Sequence, residues 1–139
     1  MSAFYRVEGA LSNSILVVDD EPMARTLLRL TLVRAGFEVV EAVDGFDALD
    51  KLKEGAPDVM ILDVMMPGID GFSVCETVRE DASSSELPII MLSAKTDLES
   101  VNKGLEVGAN RYLTKPISPE ELTRQVQAVL DSPGGNSGK

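Results

Sequence analysis

Residues 59–71 read VMILDVMMPGIDG, four apolar residues that end at an aspartate and lead into a loop with proline and glycine. The four apolar residues do not alternate with polar ones, which is expected of a strand covered by helices on both faces of a parallel sheet. Two other segments share this character, ILVV at residues 15–18 and IIML at residues 89–92. These three segments predict the central strands of one sheet.

Amphipathic stretches follow each of five short strands along the chain. The predicted strand and helix pairs are 15–18 with 23–35, 38–43 with 46–54, 59–62 with 72–80, 89–92 with 98–107, and 111–114 with 120–130. This alternation, with right-handed crossovers, is typical of an open parallel α/β sheet. Polar residues in the second strand, EVVEA, and the fifth, RYLT, indicate edge strands, and the doubly wound order with those edges is 2-1-3-4-5. The predicted fold is therefore α/β, a flavodoxin-like doubly wound five-stranded parallel sheet with five helices.

Two helix starts carry the spacing of a capping box, in which a hydroxyl and a carboxylate three residues later each satisfy a free backbone amide. They are Ser118 with Glu121 and Thr96 with Glu99. We therefore predict Thr96 and Ser118 as the capping residues at the starts of the fourth and fifth helices.

The length of 139 residues and the apolar content of 44% are those of one domain with one core. We expect that domain at residues 14–130, after an N-terminal extension at 1–13 and before a flexible tail at 131–139 that is rich in Gly and Ser. The apolar runs are too short to cross a bilayer, and residues 1–14 lack the features of a signal peptide. We therefore expect a cytoplasmic protein without membrane association.

A net charge of −10 argues against a nucleic-acid surface, which needs clustered Lys and Arg, so no direct nucleic-acid partner is expected. The chain contains no histidine, so we expect any bound metal to have oxygen ligands. The one cysteine, Cys75, excludes an internal disulfide and is interpreted as a small buried hydrophobe rather than a redox group.

Chemically active side chains follow four of the predicted strands, at the point where each strand ends. Asp19 and Asp20 follow the first strand, Asp63 the third, Ser93 the fourth and Lys115 the fifth. Because ligands bind at the carboxyl edge of open α/β sheets, near the reversal of strand order, we expect these side chains to converge. Taken singly, the acid pair could cap the first helix, Asp63 could be a solvated loop acid, and Lys115 a surface charge. Their joint placement favours a shared site.

Three carboxylates brought together repel one another unless a cation intervenes or their pKa values rise. Carboxylates with waters and a backbone carbonyl are typical Mg²⁺ ligands, so we expect Mg²⁺ here, with Mn²⁺ as an alternative. A carboxylate, a metal, a hydroxyl and a lysine at one point predict phosphoryl transfer to the carboxylate, with the metal and Lys115 neutralising the transferred group.

Four segments carry a more specific signal: ILVVDDE at 15–21, VMILDVMMPGIDG at 59–71, IIMLSAK at 89–95 and YLTKPIS at 112–118. Together they resemble the signature segments of response-regulator receiver domains, the chemotaxis-regulator-like domains of two-component signalling. The similarity extends from about Ser14 to Leu130. It implies a domain that takes a phosphoryl group from a sensor histidine kinase or a phosphotransfer protein. Such a domain is not an enzyme with a separate substrate, since it catalyses only its own phosphorylation and dephosphorylation.

The resemblance also implies roles for the acidic residues. Asp63 resembles the phospho-accepting aspartate of the family. Asp20, Asp63 and the backbone carbonyl of Met65 resemble its Mg²⁺ ligands. Asp19 resembles an acid that acts on the metal largely through water.

On the fourth and fifth strands the resemblance implies a switch. Ser93 and Lys115 would bind the phosphoryl oxygens, Ala94 fits the small residue beside the hydroxyl, and Tyr112 fits an aromatic whose rotamer reports phosphorylation. The Lys115–Pro116 bond resembles a cis peptide of the family, which an X-Pro bond makes accessible. Tyr112 has a second interpretation, an edge-strand aromatic that covers the sheet.

The family pattern further implies a downstream protein partner on the face formed by the fourth helix, the fifth strand and the fifth helix. Phosphorylation-dependent dimerisation is an additional expectation. In two respects the chain is distinctive within the family pattern: Ser93 replaces the commoner threonine, and Met65 and Lys95 occupy positions that modulate the lifetime of the phosphoryl group. The sequence is compatible both with a stand-alone receiver and with one cut from a longer regulator.

Two other functions share parts of this pattern. A haloacid-dehalogenase-type phosphatase also phosphorylates an aspartate after a central strand, but it needs a second acid two residues later, where this chain has Met65. A flavodoxin-like flavin binder needs a hydroxyl-rich phosphate loop after the first strand, where Asp19, Asp20 and Glu21 would repel the phosphate. Both functions are therefore disfavoured.

Overall fold

The computed structural model describes residues 12–132, and within them strands and helices alternate. In chain order the elements are β1 (Ser14–Val18), α1 (Pro22–Arg34), β2 (Glu38–Ala42), α2 (Gly45–Glu54), β3 (Val59–Leu62), α3 (Gly71–Glu80), β4 (Ile89–Ser93), α4 (Leu98–Glu106), β5 (Arg111–Thr114) and α5 (Pro119–Asp131). Each predicted element begins and ends within one residue of these bounds. Residues 1–11 and 133–139, which include most of the predicted extension and tail, lie outside the described residues.

The five strands form one parallel sheet in the order β2-β1-β3-β4-β5, which confirms the predicted topology. Val18 pairs with Leu62 across β1 and β3, and Leu62 pairs with Met91 across β3 and β4. The three central strands therefore reach the carboxyl edge side by side, and the residues that follow them are neighbours. No helix among residues 12–132 is long and apolar enough to cross a membrane.

Two buried layers cover the sheet, one on each face. Alternate residues of the central strands point to α2 and α3 on one face and to α1 and α5 on the other. Every residue of β1, β3 and β4 is buried, whereas β2 and β5 are mostly half-buried or exposed, as predicted for edges. Full burial of one such apolar side chain stabilises the fold by about 1.5–3 kcal/mol, so the central strands supply much of the energy that holds the carboxyl edge in place.

The helix starts agree with one of the two predicted N-cap residues, although the Glu121 carboxylate accepts from Arg124 and Gln125 and not from the Ser118 amide. Ser118 accepts a hydrogen bond from the amide of Glu121 at 3.1 Å, so α5 begins where predicted. The prediction for α4 was wrong, because Asp97 and not Thr96 is the N-cap residue and accepts the amide of Ser100 at 3.0 Å. The Asp97 carboxylate also accepts the Ser100 hydroxyl, and its negative charge suits the positive end of the helix better than the threonine hydroxyl does.

Cys75 lies fully buried on α3, and its thiol donates to the carbonyl of Val107 at 3.4 Å. Burial raises the pKa of this thiol to about 11, so the thiolate is scarce at neutral pH. This agrees with its interpretation as a small core residue.

Candidate functional site

The three predicted acidic residues meet at the carboxyl edge of the sheet. Asp19, Asp20 and Asp63 each offer a carboxylate oxygen, and these three oxygens lie within 4.8 Å of one another. Asp19 and Asp63 are buried and Asp20 is exposed, so the cluster opens to solvent on one side. Asp19 and Asp63 are neighbours because of the strand register, since they come directly after the paired residues Val18 and Leu62.

Lys115 reaches this cluster from the end of β5. Its Nζ lies 2.9 Å from Asp19 Oδ2 and 3.3 Å from Asp63 Oδ2, so one ammonium bridges two carboxylates. Burial alone lowers the pKa of Lys115, but the hydrogen bond to Asp19 and the negative charges of Asp63 and Asp19 outweigh it and raise the pKa above its ordinary value. Lys115 is therefore fully charged at neutral pH.

The backbone orients both buried carboxylates. Asp63 Oδ1 accepts the amide of Met65 at 3.1 Å, and Asp19 Oδ1 accepts the amide of Glu21 at 3.0 Å. Each acid thus turns one oxygen to its own loop and the other to Lys115. Burial raises the pKa of Asp63, and the charge of Lys115 and the Met65 amide offset only part of that rise.

The alternative that the acid pair caps the first helix does not describe this geometry. The N-cap residue of α1 is Glu21, and its side chain makes no capping hydrogen bond. Asp19 accepts the amide of Glu21 itself, which lies before the first helical turn.

Ser93 and Tyr112 are linked through the backbone of Lys95. The buried Ser93 hydroxyl accepts the amide of Lys95 at 3.2 Å, and the Tyr112 hydroxyl donates to the carbonyl of Lys95 at 2.8 Å. The Tyr112 ring packs against Gly104 on α4, where an added Cβ would lie 2.7 Å from Tyr112 Cδ2 and 2.9 Å from Met91 Sδ. Tyr112 therefore covers the sheet and also contacts the loop after β4.

The remaining predicted residues take simpler positions. Ala94 follows Ser93 and lines a cavity of about 600 Å³ together with Lys115. The Lys115–Pro116 peptide bond is cis. The Met65 side chain is exposed, while its amide binds Asp63; the role of its carbonyl as a metal ligand stays a prediction.

The donor set of this site fits a hard divalent cation. Three carboxylates within 4.8 Å carry more negative charge than the one ammonium of Lys115 balances. Hard cations such as Mg²⁺ prefer oxygen ligands, and the chain has no histidine to favour a softer metal. Asp20 is exposed beside the two buried acids, so a cation can enter the site from solvent on this side.

Two residues that the sequence did not single out support the site. Gly71 packs against the backbone of Asp63 and Val64, where an added Cβ would lie 2.8 Å from Val64 Cα. Arg25 on α1 donates from Nη1 to the carbonyl oxygen of Asp19 at 2.8 Å. A glycine directly after Asp70, the N-cap of α3, could have suggested a close approach, whereas nothing in the local pattern marks Arg25.

Comparison of the sequence with known proteins identifies the family to which the chain is similar. A family model described as "Response regulator receiver domain" matches residues 15–127. The probable transcriptional regulator ycf27 of Guillardia theta is 47% identical over 116 residues, which cover 84% of this chain and 44% of that protein. The alkaline phosphatase synthesis transcriptional regulatory protein PhoP of Bacillus subtilis is 44% identical over 120 residues, covering 86% and 49%. Protein PilG of Pseudomonas aeruginosa is 38% identical over 118 residues, covering 85% and 87%.

Solved structures agree with the sequence comparison. A putative response regulator from Chloroflexus aurantiacus has a TM-score of 0.83 and 41% identity, covering 86% of this chain and 98% of that chain. Chemotaxis protein CheY4 of Vibrio cholerae has a TM-score of 0.81 and 39% identity, covering 85% and 98%. Several of the curated relatives are named transcriptional regulators, and this chain spans about half the length of the first of them.

Proposed function

Because the chain belongs to the response regulator receiver family, we propose that it accepts a phosphoryl group on Asp63 in a Mg²⁺-dependent reaction and so switches a protein-interaction surface. The observation that carries this proposal is the convergence of Asp19, Asp20 and Asp63 with Lys115 at one edge of the sheet. The domain that we propose for this function is residues 14–130. It acts as a phospho-accepting signalling domain, not as an enzyme that turns over a separate substrate.

In the proposed reaction the Asp63 carboxylate attacks the phosphorus of the donor. A P–O bond to Asp63 forms, and the bond from phosphorus to the donor's nitrogen or oxygen breaks. Lys115, released from its contact with Asp63, binds an oxygen of the transferred group and neutralises part of its charge. The Ser93 hydroxyl donates to another phosphoryl oxygen.

The metal ligands that we propose are Asp20, Asp63 and the Met65 carbonyl, with Asp19 acting largely through water. When bound, Mg²⁺, or Mn²⁺ in its place, supplies positive charge beside the transferring oxygens. The ion pair of buried Asp19 with partly exposed Lys115 holds the ammonium beside Asp63.

The two rival functions lack support in the same geometry. Met65, two residues after Asp63, has an exposed thioether that neither donates nor accepts a proton as a phosphatase acid would. The loop after β1 turns the carboxylates of Asp19 and Asp20 toward the site, where they would repel the phosphate of a flavin.

We propose that the signal leaves through the face formed by α4, β5 and α5. Lys95 joins the Ser93 hydroxyl to the Tyr112 hydroxyl, so a shift of Ser93 toward a phosphoryl oxygen alters the contacts of Tyr112. Gly104 leaves room for the Tyr112 ring beside α4. The phosphoryl group then biases two conformations that the domain already samples, by contacting one of them better.

The partners that we propose are a sensor histidine kinase or a phosphotransfer protein as donor and a protein target, or a second phosphorylated copy, as receiver of the signal. The names of several curated relatives associate those whole proteins with transcription, so the absence of direct nucleic-acid binding is proposed for this chain alone. Its net charge of −10 supports that proposal. A cytoplasmic location, where such kinases hold their phosphoryl groups, is part of the same proposal.

The direct test uses the purified protein and acetyl phosphate. With Mg²⁺ present, intact-mass measurement should detect one added phosphoryl group, which alkaline treatment removes. With EDTA the addition should fall by at least about tenfold, because the metal neutralises charge in the transition state. Equal labelling with and without Mg²⁺ would count against the proposed function.

The proposed switch has its own test, in which beryllofluoride replaces the phosphoryl group. Amide NMR shifts should change at Asp63, Ser93 and Tyr112 and along α4 near Val101, with α2 near Leu49 little affected. The Ser93→Ala variant should confine the changes to the metal site, because it removes the hydroxyl that draws the β4–α4 loop inward. An unaltered pattern in that variant would mean that the signal takes another route.

A further inference from the structure

The loop that carries Asp19 and Asp20 is held from outside by an arginine. Arg25 on α1 donates from Nη1 to the Asp19 carbonyl at 2.8 Å and from Nε to Glu41 Oε1 at 3.0 Å. We propose that Arg25, fixed by Glu41 on β2, is a positioning residue that sets the Asp19–Asp20 pair for the divalent cation. The role toward the cation rests on the proposed function, whereas the hydrogen bond from Arg25 to the Asp19 carbonyl is independent of it.

The Asp19 carbonyl needs a donor that the sheet does not supply. β1 ends at Val18, and the Asp19 amide makes a last bond to the Ala42 carbonyl at 3.3 Å. Asp19 is only 1% exposed, so its carbonyl oxygen has little access to water. Buried carbonyl groups are nearly always paired, and the Arg25 guanidinium provides the pairing here.

An arginine suits this task better than a lysine. Its planar guanidinium offers donors in fixed and different directions, so Nε can bind Glu41 while Nη1 binds Asp19. A lysine in the same place keeps the charge but is a single flexible point donor. The Arg25 side chain is 14% exposed, so the two bonds are largely shielded from water.

Glu41 has a second cationic partner that serves as a control. Arg29, one turn further along α1, binds Glu41 Oε2 through Nε at 2.7 Å. Its side chain is 38% exposed, and it lies further from the Asp19–Asp20 loop along the helix. Arg25 and Arg29 therefore have the same charge and the same partner, Glu41, but of the two only Arg25 contacts Asp19.

The contact with Arg25 also gives a structural role to Glu41, a polar residue that takes no part in the proposed phosphoryl transfer. Glu41 stands within β2 between Val40 and Ala42, where the sequence indicated only an edge strand. In the structure it anchors the guanidinium that spans from β2 to the end of β1. The edge strand thus contributes to the acid site without touching it.

The test compares Arg25→Lys with Arg29→Lys, two changes that both preserve charge. Mg²⁺ binding is titrated by calorimetry well below the melting temperature. The affinity should weaken by roughly tenfold in Arg25→Lys, which is the smallest loss typically found when a residue that orients a metal ligand is replaced. Arg29→Lys should stay within about twofold of the wild type, since it loses only an exposed ion pair. An unchanged affinity in Arg25→Lys, or an equal loss in both variants, would overturn the proposal.

A second measurement does not depend on the cation. In metal-free protein, hydrogen exchange at the Asp19 and Glu21 amides, which donate to the Ala42 carbonyl and to Asp19 Oδ1, should be about tenfold faster in Arg25→Lys than in the wild type or Arg29→Lys, because the loop opens more often. Unchanged exchange would also overturn the positioning role. If the wild type binds no Mg²⁺ and is not phosphorylated, the proposed function fails and the role toward the cation falls with it, while exchange still decides whether Arg25 fixes the loop.

Discussion

The Asp63→Asn variant should take up no phosphoryl group from acetyl phosphate under conditions that label the wild type. An amide oxygen is a far weaker nucleophile than a carboxylate, and Asp63 is the buried acid that faces both the acid pair and Lys115. Asparagine has nearly the same shape, so the fold should persist. Intact-mass measurement in the presence of Mg²⁺ gives the readout.

A matched control is Asp50→Asn, an equal change at an exposed position on α2. It should be labelled like the wild type, because its carboxylate is exposed and lies 3.8 Å from Lys53, not beside Lys115. If Asp63→Asn were labelled as well as the wild type, the phospho-acceptor would have to be another residue, with Asp19 and Asp20 the first to examine.

The same variant should be more stable than the wild type when metal is removed. Burial raises the pKa of Asp63, which means that the folded state disfavours its ionised form relative to the unfolded chain. That cost is present above the raised pKa and disappears as the pH falls through it toward the ordinary value of ~4. In EDTA at pH 7, Asp63→Asn should therefore melt at a higher temperature than the wild type.

The difference between the two melting temperatures should shrink as the pH is lowered, since the wild-type carboxyl then becomes neutral as well. A difference that stayed constant from pH 7 into the acid range would show that repulsion at Asp63 is not its origin. Circular dichroism melts in EDTA at several pH values would separate the two cases.

Lys115→Met should slow phosphorylation and destabilise the metal-free fold. The ammonium lies against two buried carboxylates, and methionine fills similar space without a charge. Removal of one electrostatic donor to a developing oxyanion typically lowers the rate by about a hundredfold or more, and we expect a loss of that order here. In EDTA we expect about 2 kcal/mol less stability, below the ~3–5 kcal/mol for a fully buried pair because Lys115 is partly exposed.

Lys51→Met provides a closely matched control. The Lys51 ammonium lies 2.9 Å from Asp47, and the Lys51 side chain is 28% exposed. The corresponding values for Lys115 are 2.9 Å from Asp19 and 27%. Asp47 is far more exposed than Asp19, so its charge can return to water when the lysine is removed. Lys51→Met should therefore lose no more than about 0.5 kcal/mol and keep the wild-type rate of labelling.

Mg²⁺ should restore part of the stability that Lys115→Met loses, and it should raise the melting temperature of this variant more than that of the wild type. In the variant no ammonium competes with the cation for Asp19 and Asp63. An equal rise in both proteins would indicate that Lys115 and the cation occupy independent parts of the site.

The sequence by itself determined the fold and the edge at which the chemistry lies. The apolar runs Ile15–Val18, Val59–Leu62 and Ile89–Leu92 are local patterns, and they fix which strands are buried on both faces. Once the strands are parallel, the residues after them must share one edge. Asp19, Asp63 and Lys115 were therefore predictable as neighbours.

Only the tertiary structure decided which atoms meet. The bridge from Lys115 to Asp19 and Asp63 joins three strands, and the contact of Gly104 with Tyr112 joins α4 to β5. Such contacts depend on sheet register and on the rotation of each helix, which residue spacing along one segment does not specify. The start of α4 is a different case, because local chemistry decides it: the Asp97 carboxylate, and not the Thr96 hydroxyl, caps the helix.

Arg25 is the clearest case of this division. In sequence it is one of several polar residues on α1, and Glu41 is one polar residue of an edge strand 16 positions later. Folding places β2 beside β1, and this brings the carboxylate to the guanidinium and the guanidinium to the Asp19 carbonyl. The residue types were visible in the chain, but their partnership exists only because the sheet pairs strands that are distant in sequence.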